Sequence, residues 1–299
     1  MIKKRILGFL GLLIVGLAVF VFFVNHSLNQ RFAKKYTVSN SEVAINRTEE
    51  ALQNGKRLFR ARGCADCHGT DLGGKKVIDA LPAGVLFGTN LTKGKGGTGG
   101  QLKDEDIIRA IHNGVSRDGF PLKWMPSEEY TGLSAEELSD LTAYITSAAS
   151  VDRETLPSSY GPITSLLLFN GELKLAAELI DHNKKPVKGI VPEVSKNYGE
   201  YIANTCKGCH GSDFSGGPIP GVPPSFPAAS NITSDKEKGI GKYTEADFIT
   251  AMTKGKRPDG NELNPFMPYN NFSQMTETEL KALWLFVKEI PAKKESIRK

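Results

Sequence analysis

The chain has 299 residues, 39% of them hydrophobic, with 31 Gly and 16 Pro, a profile of globular structure with long loops rather than disorder. Its net charge of +5 sits at the ends: residues 1–44 hold six Lys or Arg against one acid and residues 291–299 four against one, whereas 45–150 hold 13 against 14 and 190–290 hold 10 against 12. This excludes a basic nucleic-acid face, and the length allows two domains of ordinary size.

The N-terminus reads Lys3-Lys4-Arg5 and then 19 uncharged residues from Ile6 to Val24. As a helix this run is roughly 28 Å long, enough to cross the hydrocarbon of a bilayer. A cleaved signal peptide would have similar charged and apolar regions, but no small-x-small cleavage site follows; the next residues are Asn25-His26-Ser27. The expectation is a retained transmembrane anchor over residues 1–25, basic side inward, with a polar tether over 26–44.

From residue 45 the pattern becomes that of a soluble helical domain. Asn46 and Glu49 are placed as a capping box for a helix over Glu49–Arg60. Cys64-Ala-Asp-Cys67-His68 comes next, then the loop Gly69-Thr-Asp-Leu-Gly-Gly74 and an Asn90-Leu91-Thr92 turn. Gly94-Lys-Gly-Gly-Thr-Gly-Gly100 lacks the order and strand-to-helix setting of a phosphate cradle. A short amphipathic helix over about Lys103–His112 is expected next, with Ile107, Ile108 and Ile111 on its apolar face. Lys123-Trp124-Met125-Pro126 leads to a last helix opened by Ser134 and Glu137, with Leu138, Leu141 and Ile145 as its stripe.

Residues 151–189 connect this domain to the C-terminal part of the chain. Ile163–Phe169 is strongly apolar and Glu172–Ile180 is read as an amphipathic helix; the segment is expected to pack between domains or to meet a partner subunit or the membrane face.

Residues 190–290 then repeat residues 45–150. A stretch from Val194 to Asn204 precedes Cys206-Lys-Gly-Cys209-His210, which leads into Gly211-Ser-Asp-Phe-Ser-Gly-Gly217 and Asn231-Ile232-Thr233. A helix over Thr244–Thr253, Pro-Phe266-Met267-Pro268 and a last helix opened by Thr276 and Glu279 complete the second copy, with Leu280, Leu283, Trp284 and Val287 as the final stripe. Residues 291–299 are a basic tail.

All four cysteines lie in the two C-x-x-C-H motifs. Lone C-x-x-C pairs could be redox dithiols or zinc ligands, but a His directly after each second Cys suits c-type haem attachment. The thiols would form thioethers to the vinyl groups and the His would ligate iron. The attaching residues are then Cys64, Cys67, Cys206 and Cys209, and the proximal ligands His68 and His210. The sixth ligands are expected to be Met125 and Met267, because each lies 57 residues after its histidine, follows an aromatic residue and precedes a proline. Met252 aligns with Ile111 and Met275 with Leu133, so both read as core packing; His26 and His182 have no counterpart, and His112, aligned with Thr253, is the rival at the first iron. Three helices and long loops make a thin core, so the chain is expected to fold poorly without its two covalent haem c groups.

With these motifs the chain resembles the class I cytochrome c fold, and in particular the membrane-associated multihaem cytochrome subunits of bacterial alcohol, aldehyde and gluconate dehydrogenases. The likeness is greatest over Ser230–Phe248, Gly255 and Met267-Pro-Tyr269. It implies an all-α fold of two tandem domains behind one transmembrane helix, on the extracytoplasmic side of a bacterial inner membrane. It also implies single-electron transfer from a membrane dehydrogenase or quinol-oxidising complex to a soluble cytochrome or terminal oxidase. Those subunits commonly carry three haem motifs; this chain has two. The alternative is a dihaem enzyme such as a peroxidase or an oxidase of a small sulfur compound, in which one methionine leaves the iron and His112 assists. A haem-based sensor would need an output domain that the sequence does not display.

Overall fold

The computed structural model describes residues 2–38, 43–220, 222 and 225–298. Helix α1 (Ile2–Ala33) is long and apolar enough to cross a membrane, and its residues from Ile6 to Phe23 are largely exposed. It does not stop at Val24, where a polar tether was expected. Val24, Leu28 and Phe32 fall on one stripe at helical spacing and pack with Leu168, Leu175, Tyr160 and Leu173, so burial carries the helix nine residues further.

The first copy begins with α2 (Glu49–Ala61) and the haem-motif turn α3 (Cys64–His68). The cap of α2 is Thr48, whose Oγ1 accepts from the Ala51 N–H at 3.3 Å; Asn46 supports it one step back, its Oδ1 accepting from the Thr48 N–H at 3.1 Å. A β-hairpin comes next, β1 (Lys76–Ala80) and β2 (Gly84–Phe87), then α4 (Asp104–Asn113) and α5 (Ala135–Ser147). In the connector, β3 (Ser159–Tyr160) adds to β2, giving an antiparallel sheet in the order β1-β2-β3. This small sheet is a departure from an all-helical fold. Helices α6 (Pro162–Phe169) and α7 (Ala176–Leu179) complete the connector, the second much shorter than the helix expected over Glu172–Ile180.

The second copy runs through α8 (Lys196–Ala203), the haem-motif turn α9 (Lys207–His210), α10 (Glu245–Lys254), α11 (Tyr269–Phe272) and α12 (Glu277–Val287). Each copy has its own core, one built on Leu58, Phe59, Ile107, Ile108, Leu138 and Leu141, the other on Tyr198, Ile202, Phe248, Met252, Leu283 and Trp284. Met252 is core packing, as its alignment implied.

The same helix crossing builds both cores. Gly55 of α2 lies so close to α5 that an added Cβ would be 2.0 Å from the Asp140 carbonyl oxygen; Gly199 of α8 meets the Ala282 carbonyl of α12 at the same 2.0 Å. Only glycine permits these approaches, and both crossings carry the first helix of a copy against its last.

Candidate functional site

Both haem-motif turns are held in the same way. The His68 ring Nδ1 lies 2.8 Å from the Thr89 carbonyl oxygen, and His210 Nδ1 lies 2.7 Å from that of Ser230. A carbonyl can only accept, so each Nδ1 carries the proton and each Nε2 keeps a lone pair. Burial pushes both imidazoles below their ordinary pKa, which keeps them neutral and able to ligate a metal.

The Asn-x-Thr turns explain why those carbonyls point inward. Asn90 Oδ1 accepts from the N–H and hydroxyl of Thr92 at 2.9 and 2.8 Å, while its Nδ2 donates to Val151 and Arg153 carbonyls at 2.8 and 3.0 Å. Asn231 binds Thr233 identically, at 2.9 and 2.7 Å, and donates to the Lys293 carbonyl at 2.6 Å. Each turn ties the chain leaving its copy to the residue just after the histidine's acceptor. The sequence displayed these turns without their role, since the acceptors Thr89 and Ser230 act through the backbone.

Leu72 and Phe214, at matching positions after the two motifs, have φ of 60° and 62° although neither is glycine. Both side chains are buried, and that burial offsets a backbone cost of about 1–3 kcal/mol. Farther on, Pro126 and Pro268 share an inverse γ-turn, with φ −81° and ψ 58° or 55°, and the N–H of Ser127 or Tyr269 donates to the carbonyl of Met125 or Met267. Met125 and Cys64 pack against the first core, and Met267 and Cys206 against the second.

Burial pushes Cys64 up to about 12 and Cys206 up to about 11, so as free groups they would stay protonated. Among the described residues no three His, Cys, Asp or Glu side chains converge to hold an ion.

The remaining histidines lie elsewhere. His26 stacks on Phe22 within α1, and His182 packs on Tyr36 with its Nε2 2.9 Å from the Ala177 carbonyl. His112 is fully buried, its Nε2 has no hydrogen-bond partner among the described residues, and burial lowers its pKa.

The two copies meet through equivalent positions. Asn271, four residues after Met267, donates to Asp66 at 2.6 Å between Cys64 and Cys67. Reciprocally, Glu129, four residues after Met125, places its Oε1 2.9 Å from where a Cβ would stand on Gly208, between Cys206 and Cys209. Each haem-motif turn therefore faces the segment that comes after the other copy's methionine. The matching glutamates Glu137 and Glu279 are each engaged by the opposite copy: Arg57 donates to Glu279 at 2.7 Å, and the Tyr201 hydroxyl donates to Glu137. Tyr201 also accepts from the Ser134 N–H at 2.8 Å, so the capping box expected at Ser134 and Glu137 is opened to admit it, whereas the box at Thr276 and Glu279 is complete. Glu137 is further held by Arg62 at 2.7 Å, and the Arg62 charge acts on Cys64 and Cys206 alike.

The basic tail is not free. Arg298 donates to the carbonyls of Cys209, Lys207 and Gly208 at 2.8 to 3.2 Å, and Arg153 donates to Asp71 and the Gly74 carbonyl beside the first motif.

The family model for cytochrome c matches residues 52–149 and 198–291, more than half of the chain and one segment per copy. The chain belongs to the cytochrome c family. That membership carries electron transfer and covalently bound haem c. Its relatives include the cytochrome c subunit of an alcohol dehydrogenase (quinone) from Gluconobacter oxydans, 38% identical over 94 residues, covering 29% of this chain and 20% of that protein. The fructose dehydrogenase cytochrome subunit of Gluconobacter japonicus is 31% identical over 136 residues, 44% of this chain and 27% of that one. The gluconate 2-dehydrogenase cytochrome c subunit of Pantoea cypripedii is 36% identical over 94 residues, with 29% and 21% covered. In each case the match spans under a third of the relative's own length.

Proposed function

We propose that this cytochrome c is a membrane-anchored dihaem carrier that passes single electrons from a membrane dehydrogenase, or a quinol-oxidising complex, to a soluble cytochrome or terminal oxidase. The observation that carries this reading is the duplicated constellation. Each copy has a C-x-x-C-H turn, a histidine whose Nδ1 is tied to a main-chain carbonyl, and a methionine on a proline γ-turn against the same core. Cys64, Cys67, Cys206 and Cys209 would hold two haem c groups, His68 and His210 would be the proximal ligands and Met125 and Met267 the distal ones.

These residues fit the group. Free Nε2 lone pairs, buried neutral thiols and a soft thioether set in apolar surroundings match what a low-spin haem c needs. Bound haem c supplies a one-electron iron couple. The chain's own part would be to hold each group between a histidine and a methionine, His68 with Met125 and His210 with Met267, and to keep water away with the apolar side chains packed around them. A methionine ligand would favour the ferrous state, and the Thr89 and Ser230 carbonyls, which fix the imidazole rings, would strengthen them as ligands.

A retained anchor is favoured by the continuity of α1, and the basic Lys3-Lys4-Arg5 end supports haem domains on the periplasmic side of a bacterial inner membrane. Val24 and Leu28 are buried against α6 and Leu175, and Arg31 makes a two-pronged ion pair with Glu178, so the span and the folded body share one helix. The test is gentle detergent extraction from native membranes, after which alcohol, fructose or gluconate is added. A copurifying dehydrogenase whose substrate reduces both haems is the expected result. A chain that copurifies with no redox enzyme and is reduced by none of these contradicts the partner assignment.

A further inference from the structure

We infer that the connector helix α6 and the tip of the β1–β2 hairpin insert into the outer leaflet beside α1, forming a second membrane contact that holds the first haem domain at a fixed depth. The inference rests on the reading of α1 as a membrane anchor, and it uses α1 as a ruler. If the hydrocarbon ends at Val24, the last residue of the apolar run, Phe20 lies ~6 Å inside it and Arg31 ~10 Å outside. Phe169, the last residue of α6, packs edge-on against Phe20 with ring centroids 6.0 Å apart. Leu168 is buried with Val24 and Leu28, and Glu178 pairs with Arg31. The end of α6 therefore straddles the hydrocarbon boundary, with the Phe169 ring below it and the Leu168 carbonyl accepting from Arg31 above it, and the connector climbs out along α1.

What α6 turns away from the protein suits that depth. Ile163, Leu166 and Phe169, spaced three residues apart on one side of the helix, are 54%, 40% and 37% exposed, while Thr164 and Leu168 on the other side are buried. The hairpin adds Leu81, 89% exposed, on a tip reading Ala80-Leu81-Pro82-Ala83. The tip is joined to α6 directly: the Ile163 N–H donates to the Pro82 carbonyl at 2.9 Å and the Gly161 N–H to that of Ala83 at 2.8 Å. Two separate elements thus bring exposed apolar groups to one place, continuous with the exposed face of α1.

The next layer outward has the composition of a membrane interface. Phe32, Tyr160 and Trp124 form a row with centroid spacings of 5.7 and 4.4 Å, and Lys123 lies 4.6 Å above the Phe32 ring. Lys34 and Lys35 flank it over Tyr36 and Phe120. Aromatic rings and lysines are the residues that settle among lipid headgroups. Because Trp124 and Lys123 directly precede Met125, this layer turns the methionine loop of the first copy towards the membrane surface.

The test uses the full haem-loaded chain, reduced, in phosphatidylcholine nanodiscs, with a nitroxide on Leu81→Cys, Ile163→Cys or, as a control in the second copy, Asp259→Cys. The unsubstituted chain gives the labelling background. Oxygen concentrates in lipid and a nickel chelate in water, so insertion predicts an oxygen-to-nickel accessibility ratio at 81 and 163 at least about threefold above that at 259. Nickel access equal to that at 259 would overturn the inference, and so would shielding from both reagents, which would mean that a protein partner covers the patch. Extraction with alkaline carbonate separates the two failures. A chain that stays in the membrane with nickel-accessible labels removes the insertion alone, whereas a chain released by carbonate removes the anchor and the insertion together.

Discussion

Replacing Glu137 by Gln removes the negative partner of a guanidinium that the fold has buried. The side chains of Arg62 and Glu137 are only 10% and 12% exposed, and the Tyr201 hydroxyl from the opposite copy closes the remaining side. An unpaired charge in such a place costs about 3–5 kcal/mol, far above the ~0–1 kcal/mol of a surface pair. Burial alone would raise the Glu137 pKa, but the charge of Arg62, with hydrogen bonds from Tyr201 and Arg62, outweighs it and holds the group below its ordinary value. A carboxylate whose folded pKa is depressed contributes stability that is fully present above its unfolded pKa and is lost as pH falls through the folded value. Urea unfolding of the detergent-solubilised chain should therefore show a loss of about 3–5 kcal/mol for Glu137→Gln at pH 7, shrinking as pH falls below the ordinary carboxylate range. The double variant Arg62→Met, Glu137→Met should recover most of that loss, because no buried charge is then left alone. A cost under about 1 kcal/mol at pH 7, or one independent of pH, would refute the reasoning.

Single positions elsewhere give further expected outcomes. Gly55→Ala and Gly199→Ala each press a Cβ to 2.0 Å from a carbonyl oxygen on the last helix of the same copy, and each should cost about 2 kcal/mol or more in denaturant unfolding. Asn90→Ala deletes four hydrogen bonds at a fully buried site and should cost about 3 kcal/mol, against about 1–2 kcal/mol for the half-buried Asn231→Ala; differential scanning calorimetry can rank them. Met125→His should lower the potential of one haem in a spectroelectrochemical titration and leave the other near its original value, with Met267→His doing the converse.

Much of the candidate site could be read from the sequence because its chemistry needs particular side chains at fixed spacing. The C-x-x-C-H motifs, the methionines before proline and the apolar stripes of the last helices have no easy substitutes. What escaped was supplied by packing or by backbone. In the β1–β2 hairpin β1 is mostly exposed and β2 is half-buried along its length, so no alternation of apolar and polar residues marks it. The extension of α1 to Ala33 was written in the stripe of Val24, Leu28 and Phe32, but its meaning depended on a partner, α6, more than a hundred residues away. Tyr201 displaced a capping box that is locally as good as its twin at Thr276, a tertiary contact overriding a local rule. Arg298 is part of the basic tail and Arg153 belongs to no motif, and only the fold brings them to the haem-motif loops.

Two haem c groups, one on each copy, are the centre of the proposed function. Intact-mass measurement of the chain purified from native membranes tests this most directly, together with the variants Cys64→Ala, Cys67→Ala and Cys206→Ala, Cys209→Ala. The native chain should gain the mass of two haem groups and each paired variant the mass of one. A native chain carrying a single haem, or a paired variant that still carries two, would contradict it.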